Sequence, residues 1–374
     1  MAGLLASWQE KRDITTVPPA RFVLMLFTYH KSPLPYYFGL VLPISAWIGL
    51  ELGAYWTILT TAVAFVILPL ADTLRGIDNE SPSSSEIIEL ESRWSYRIVL
   101  YVNVAVQTAL LTRACFVWSS GTQTTYELAF QVLGVGIVTG GLGITIAHEL
   151  GHRTIWWEKL LGYVLLTQVW YTHFVAEHTA GHHKNVGLRQ DPATARLGES
   201  AYAFVARSVV QSWLHVWHME AVRLRSKDRA PFGFGNRMWM WSLASPIVTT
   251  LIGAIGGWHV AVLFILQSIV AFVLLELVNY VEHYGLERKE VKPGIVEKFA
   301  PHHAWESRFI VSNYTLFKLQ RHADHHLLPQ RRYQSLRVHD ESPQLPHGYP
   351  AMLLLSLVPP LWRSVIHKRM SAAG

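Results

Sequence analysis

The sequence predicts an all-α integral membrane protein in which six transmembrane helices carry a cytoplasmic helical cap with a histidine-rich metal site. Three observations predict this class. The 374 residues are 51% hydrophobic, with long apolar runs that contain few charges. Alternate turns between these runs lack Lys and Arg. Of the 19 histidines, all except His30 lie at or after His148.

Each apolar run approaches or exceeds the roughly 20 residues that an α-helix needs to cross a bilayer. In chain order the predicted spans are 35–55, 56–75, 97–118, 126–149, 237–257 and 259–282. We expect the segments 150–236 and 283–374 to lie outside the membrane and to form one domain with the spans.

The loop charges predict the orientation. The turns 51–54, 119–125 and 256–258 contain no Lys or Arg, whereas the N-terminal arm, residues 150–235 and the tail after Glu282 contain nearly all of them. Because Lys and Arg are retained on the cytoplasmic side, we expect both termini and the histidine-rich segments in the cytoplasm of a bacterial-type inner membrane. Arg113, inside the third span, is the exception and should extend towards the outer interface.

A net charge of +6 could indicate nucleic-acid binding. Since the basic residues flank membrane spans, we expect contacts with anionic headgroups or an acidic protein, and no nucleic acid. The one cysteine, Cys115, excludes disulfides and any Cys-x-x-Cys metal module in this sequence. The amphipathic tail 348–367 is interrupted by Pro359 and Pro360, and we expect it along the membrane surface.

Nine histidines fall in four short motifs, ITIAHELGHR, FVAEHTAGHHKN, NYVEHYGLE and LQRHADHH. They are His148, His152, His178, His182, His183, His283, His322, His325 and His326. Residues three or four apart share a helix face, so His148 and His152 can bind one ion. His182 and His183 differ by about 100° around a helix and can face different ions.

Nine imidazoles exceed the needs of one tetrahedral or octahedral ion, so the sequence predicts two ions. Iron, zinc and copper all accept imidazole. We expect the isolated histidines His173, His215, His218 and His259 to be interfacial or hydrogen-bonded, and favour a structural role for His302 and His303 as well.

Two other chemistries use similar residues. HELGH is the His-Glu-x-x-His helix of zinc metalloproteases, in which Glu149 would be the general base, but an intramembrane protease leaves seven histidines unexplained. A metal transporter would place its site near the bilayer midplane and release the ion, whereas these ligands are predicted at one membrane edge. An oxygen-activating site with two iron ions, acting on a lipid-soluble substrate, is favoured.

The four motifs, with DPATARLGES after the second and SNYTLFKLQ before the last, resemble the membrane alkane monooxygenases over roughly residues 35–365. Arg153 and Ala323 stand where Lys and Ser are common in that family. Membrane fatty-acid desaturases and hydroxylases are the alternative within the same histidine-motif class. NYVEHYG and DPATARLGES favour the alkane hydroxylase.

The resemblance implies six membrane helices, two non-haem iron ions held by the histidines, and terminal hydroxylation of medium- to long-chain linear alkanes to primary alcohols with O₂. It also implies that rubredoxin, served by its reductase, supplies two electrons. Rubredoxin requires four cysteines, so with only Cys115 present we expect it to be a separate protein.

Carboxylates lie beside every histidine motif, at Glu149, Glu177, Asp191, Glu282 and Asp324. Carboxylates commonly accept the free ring N–H of a metal-bound histidine, fixing its tautomer and raising its basicity. We expect that role for these five, Glu149 and Asp324 above all.

The alkane needs an apolar slot that reaches the metal site. One and two turns before His148 on the predicted helix are Ile144 and Gly141. The corresponding positions before His283 are Asn279, Leu275 and Phe272. Ala64 is small where a large ring could close the slot, so the sequence predicts that long chains are admitted.

The electron donor should dock on the cytoplasmic side. Basic residues near the histidine motifs are expected to attract an acidic partner at rates that depend on salt. They are Lys184, Arg189, Arg331, Arg332 and Arg337.

Overall fold

The computed structural model describes residues 31–373, and the predicted N-terminal arm with Lys11, Arg12 and Arg21 lies outside them. Within the described part the regular secondary structure is helical except for one antiparallel hairpin, β1 (Glu290–Lys292) paired with β2 (Ile295–Val296), and two isolated β-bridges.

Five helices are long and apolar enough to cross a membrane. They are α1 (Ala54–Arg75), α2 (Trp94–Ser119), α3 (Thr125–Gly151), α4 (Met238–Gly256) and α5 (Trp258–His283). At a rise of about 1.5 Å per residue, helices of 19 to 27 residues have the length needed for a hydrocarbon core of about 30 Å.

The first predicted span, 35–55, is a 3₁₀ segment Leu34–Leu40 followed by the α-helix Val41–Leu52, and it is not among these five. Near its end, Glu51 accepts two hydrogen bonds from Arg113 of α2, at 2.6 Å from Nε and 2.8 Å from Nη2. This bidentate pair compensates the charge of Arg113.

Two of the turns without Lys or Arg meet at the same end of the helices. Thr124 and Glu127 form a reciprocal cap at the start of α3. Glu127 also accepts a hydrogen bond of 2.6 Å from the backbone N–H of Ala54, where α1 begins. One carboxylate therefore satisfies the amide groups of two helix starts.

The opposite end of α3 and α5 carries histidine motifs, and most of the remaining helices connect there. The longer ones are Ser84–Ser92, Trp156–Thr167, Ala201–Arg225, Tyr349–Ser356 and Pro359–Ala373. The short ones are Phe174–Ala176, Glu177–His182, His183–Asn185, Pro301–His303, Ile310–Thr315, His322–Leu327 and Tyr333–Ser335.

The tail breaks where its prolines predict, since one helix ends at Ser356 and the next begins at Pro359. The first of these helices is part of the protein core and does not lie only along the membrane surface. Its Tyr349 and Met352 pack in a core cluster with Leu277 and Tyr280 of α5.

Three segments of the described helices are wound as π-helix, namely Val63–Ile67 in α1, Val138–Ile144 in α3, and Glu177–His182. A π-turn inserts an extra residue and changes which side chains face a neighbour, and such turns occur frequently at functional sites. The third segment carries two of the predicted metal ligands, His178 and His182.

Candidate metal centre

The fold brings eight of the nine predicted histidines into two buried sets of four, each with ligand atoms within 4.8 Å of one another. The first set is His148, His152, His178 and His325. The second set is His182, His283, His322 and His326. The residues of the first set come from the end of α3, the π segment Glu177–His182 and the short helix His322–Leu327. The residues of the second set come from the end of α5, the same π segment and the same short helix.

In the first set the Nε2 atoms point at one another. His148 Nε2 lies 2.8 Å from His178 Nε2 and 3.0 Å from His325 Nε2, and the last two are 3.3 Å apart. A neutral imidazole nitrogen carries either a proton or a lone pair, so three mutual contacts cannot all be hydrogen bonds. A cation that accepts the lone pairs resolves this arrangement.

The second set is built in the same way. His322 Nε2 is 3.1 Å from His283 Nε2 and 2.9 Å from His326 Nε2. The two sets adjoin, because the His178 ring lies 5.3 Å from the His182 ring between centroids.

His183, the ninth predicted ligand, lies against the first set. Its Nε2 is 3.0 Å from the Nε2 atoms of both His178 and His325. Its neighbour His182 belongs to the second set, so consecutive residues face different sets, as the angular step between them predicts.

The donors fit metal ions. His152 Nε2 and His182 Nε2 are buried and have no hydrogen-bond partner among the described residues, so each is free to bind an ion. Burial lowers the pKa of His178 and His325 well below the usual histidine range, so both rings are neutral near pH 7. Neutral imidazole is the form that binds a metal ion.

Two of the five predicted carboxylates contact a ring nitrogen that faces away from these sets. Asp191 Oδ2 lies 2.9 Å from His182 Nδ1. Burial opposes a charged His182, but the adjacent Asp191 carboxylate raises the pKa of His182 above its usual value. Glu282 Oε1 lies 3.3 Å from His322 Nδ1 and accepts a hydrogen bond of 2.9 Å from Tyr349.

The other three carboxylates have different partners. Glu149 pairs with Arg153 at 3.5 Å, and Glu177 with His215 at 3.2 Å. Asp324 pairs with Arg331 at 2.6 Å and accepts a hydrogen bond of 2.8 Å from His339. The structure thus places Glu149 and Asp324, the two favoured from the sequence, in ion pairs with arginine instead of against a histidine of either set.

An apolar cavity ends at the histidines, with both sets represented in its lining by His148, His178 and His322. Five of the six predicted slot residues line it. They are Ala64, Gly141, Ile144, Leu275 and Asn279. Phe272 does not, because its ring stacks on Tyr171 at 5.6 Å in a separate groove.

The cavity has walls that the sequence pattern did not predict. Phe174, Leu316, Leu319, Pro350 and Leu353 complete it, and the last two belong to the tail helix Tyr349–Ser356. The sequence AMLLLSL at 351–357 could have indicated these walls. It is apolar on all sides, whereas a helix resting on a membrane surface buries only one face.

The predicted basic residues do not form one available patch. Arg331 is engaged by Asp324, and Arg332 is buried with its Nη2 at 3.5 Å from Glu158. Lys184, Arg189 and Arg337 are exposed.

Residues 125–355 match the fatty acid desaturase family model. Alkane 1-monooxygenase 2 of Pseudomonas aeruginosa is 38% identical over 337 residues, which cover 88% of this chain and 89% of that protein. Alkane 1-monooxygenase 1 of the same species is 37% identical over 347 residues, covering 89% and 88%. An alkane 1-monooxygenase of Pseudomonas putida is 36% identical over 332 residues, covering 87% and 81%.

Proposed function

The chain belongs to the alkane 1-monooxygenases, a group related to the fatty acid desaturases, and hydroxylates the terminal carbon of alkanes; from this premise we propose that it does so at a centre of two iron ions held by nine histidines. The ions would be held by the first set together with His183, and by the second set.

One observation carries the proposal. Two adjoining sets of buried imidazoles stand at the end of an apolar cavity that three membrane helices, α1, α3 and α5, line. A zinc protease needs a single ion, and a transporter needs a path for its ion, whereas an alkane needs an apolar slot against a redox centre. The medium- to long-chain preference rests on the small side chains at Ala64 and Gly141.

The protein's residues position the reacting groups. The cavity lining excludes water and directs one end of an extended chain towards His148, His178 and His322. Asp191 holds the proton of His182 at Nδ1, so that Nε2 presents its lone pair to the second ion. When bound, the iron ions supply the redox chemistry that O₂ and an unpolarised C–H bond require.

Each turnover converts an alkane, O₂, two electrons and two protons into a primary alcohol and water. We propose that the electrons come from rubredoxin, reduced by its own reductase, as two single-electron transfers. In each transfer the ferrous iron of rubredoxin becomes ferric.

The proposed topology has six membrane crossings. Val41–Leu52 with the preceding 3₁₀ segment would be the first crossing, joined to α2 through the Glu51–Arg113 pair. The histidines and both termini would face the cytoplasm from a bacterial inner membrane, because the turns at the opposite ends of the helices lack Lys and Arg.

Elemental analysis of the purified protein, combined with a product assay on a linear alkane, tests the proposal. We expect two iron atoms per chain and a primary alcohol whose formation requires reduced rubredoxin. A double bond in the product, or a single zinc without oxidation, would contradict it.

A further inference from the structure

One aromatic ring lies between the surface and the second histidine set. Phe299 is partly exposed, and its ring centroid is 5.0 Å from that of His326. Phe299 follows the β1–β2 hairpin. A side chain that touches both solvent and a ligand ring shortens the path by which electrons can enter.

The backbone on both sides of Phe299 is fixed. His303 Nδ1 accepts a hydrogen bond of 3.0 Å from the backbone N–H of Ala300, and its Nε2 donates to Glu297 at 3.2 Å. Glu297 also accepts a hydrogen bond of 2.5 Å from the N–H of Lys289. Glu297, His302 and His303 come close enough to suggest a third metal site, but both ring nitrogens of His303 are already used, so this group holds Phe299 in place.

The surface around Phe299 is basic. We call it the hairpin surface, and its charged residues are the basic Lys184, Arg189, Arg288, Lys289, Lys292 and Lys298 and the acidic Glu287, Glu290 and Glu297. The segment with Lys184 and Arg189 adjoins the segment 287–298, because Arg288 Nη1 donates a hydrogen bond of 3.2 Å to the carbonyl of Lys184. The Arg189 side chain is 83% exposed. Arg288 is held by backbone carbonyls and Arg189 lies 3.9 Å from Glu287, but the exposed lysines Lys184, Lys289, Lys292 and Lys298 present their charges to a partner.

We propose that the hairpin surface is the docking site of the electron donor, a small acidic iron–sulfur protein, and that electrons cross to the histidine centre beside His326 through the Phe299 ring. The proposal rests on rubredoxin as the donor. Each electron transfer oxidises one ferrous donor to the ferric form, and the oxidised donor then dissociates. Two transfers supply the two electrons that one turnover consumes. Electrons tunnel faster through packed atoms than across a gap of the same length.

The test uses iron-loaded full-length protein in detergent and reduced rubredoxin. Two readouts separate docking from transfer, the Kd of rubredoxin and the limiting rate of reduction at saturating rubredoxin. Reversing two charges, Lys292→Glu with Lys298→Glu, should raise Kd at least tenfold at low salt, with the difference shrinking as ionic strength rises. The matched control is Arg225→Glu with Lys227→Glu, at the far end of the helix Ala201–Arg225, which should leave Kd within twofold.

Phe299→Ala should lower the limiting rate at least tenfold, and Phe299→Leu, which keeps packed carbon atoms beside His326, should restore most of it. The proposal is overturned if both charge-reversal pairs change Kd equally, or if Phe299→Ala reduces at the wild-type rate. It is also overturned if Phe299→Ala loses iron in proportion to its slower reduction, because the ring would then only support His326. A wild-type protein that rubredoxin does not reduce would instead refute the proposed donor.

Discussion

Asp191 Oδ2 lies 2.9 Å from His182 Nδ1, with both side chains almost completely buried. The carboxylate is held by its own loop, since the same Oδ2 accepts a hydrogen bond of 2.6 Å from Thr194 and Oδ1 accepts one of 3.2 Å from the N–H of Ala193. The loop therefore presents a preassembled acceptor that determines which nitrogen of His182 keeps its proton.

Asp191→Asn should weaken metal binding by the second set. The neutral amide no longer favours a proton on Nδ1, and loss of such a partner typically costs about 10- to 100-fold in metal affinity. We expect roughly one iron to leave under a chelator concentration that the wild type withstands, as measured by elemental analysis after desalting.

Asp324→Asn is the matched control, because Asp324 is an equally buried carboxylate whose partners are Arg331 and His339. It should lower the melting temperature and leave the iron content unchanged. Equal iron loss from both variants would mean that Asp191 acts through general stability alone.

The clustering of the histidines within each motif could be predicted from the sequence because helical spacing is local. His148 with His152, and His322 with His325 and His326, have their relative directions determined within one or two turns. Local spacing cannot determine which distant motif joins which set. That partition depends on the π segment Glu177–His182, which sends His178 to one set and His182 to the other.

The carboxylates and the cavity were harder to predict, for a different physical reason. Adjacency in sequence does not place a carboxylate against a ring nitrogen. Glu149 follows His148 and Asp324 lies between two ligands, yet each turns to an arginine. Phe272 and Leu275 are only about 60° apart around α5, so helical spacing predicts one face for both, yet the Phe272 ring stacks on Tyr171 instead of entering the cavity.

The number of ions can be tested one set at a time. His152→Ala removes a donor from the first set and His326→Ala removes one from the second. Because the sets share no ligand, each variant should retain about one of two iron atoms, and combining both changes should remove nearly all iron. Elemental analysis alongside Mössbauer spectra checks this. Complete iron loss from either single variant would indicate one cooperative site in place of two.

Lys318 should make stability depend on pH. It is 5% exposed, and burial, reinforced by the charge of Arg321, lowers the pKa of its amine from 10.5 to about 7, while Asp78 and Glu80 act in the opposite direction. The unfolded chain keeps this proton up to about pH 10.5 and the folded chain releases it near pH 7. Unfolding therefore takes up a proton between these values, and the free energy of unfolding should rise with pH across that window.

Lys318→Met removes this titration while nearly conserving side-chain volume. We expect a melting temperature a few degrees higher than wild type at pH 7 and a smaller rise between pH 7 and pH 9, followed by tryptophan fluorescence in detergent. Since other groups titrate identically in both proteins, the difference in slope reports Lys318. A slope equal to or steeper than that of the wild type would show that the buried amine is charged in the folded protein.

The chain-length range should depend on two small residues that line the cavity, Ala64 and Gly141. A Cβ placed on Gly141 meets no heavy atom within 4 Å, whereas one on Gly140 would lie 2.6 Å from the backbone of Ala271. A larger side chain at Gly141 therefore enters the cavity without displacing the backbone.

Gly141→Leu and Ala64→Trp should each reduce kcat/KM for the longest alkanes about tenfold or more and leave the shortest nearly unaffected, because a filled pocket rejects added methylene groups. Competition assays with a mixture of linear alkanes, read by gas chromatography of the alcohols, give this profile directly. Phe272→Leu is the control, since Phe272 lies outside the cavity against Tyr171, and it should keep the wild-type profile. If iron-loaded Gly141→Leu and Ala64→Trp also kept that profile, the alkane would have to approach the histidines by another route.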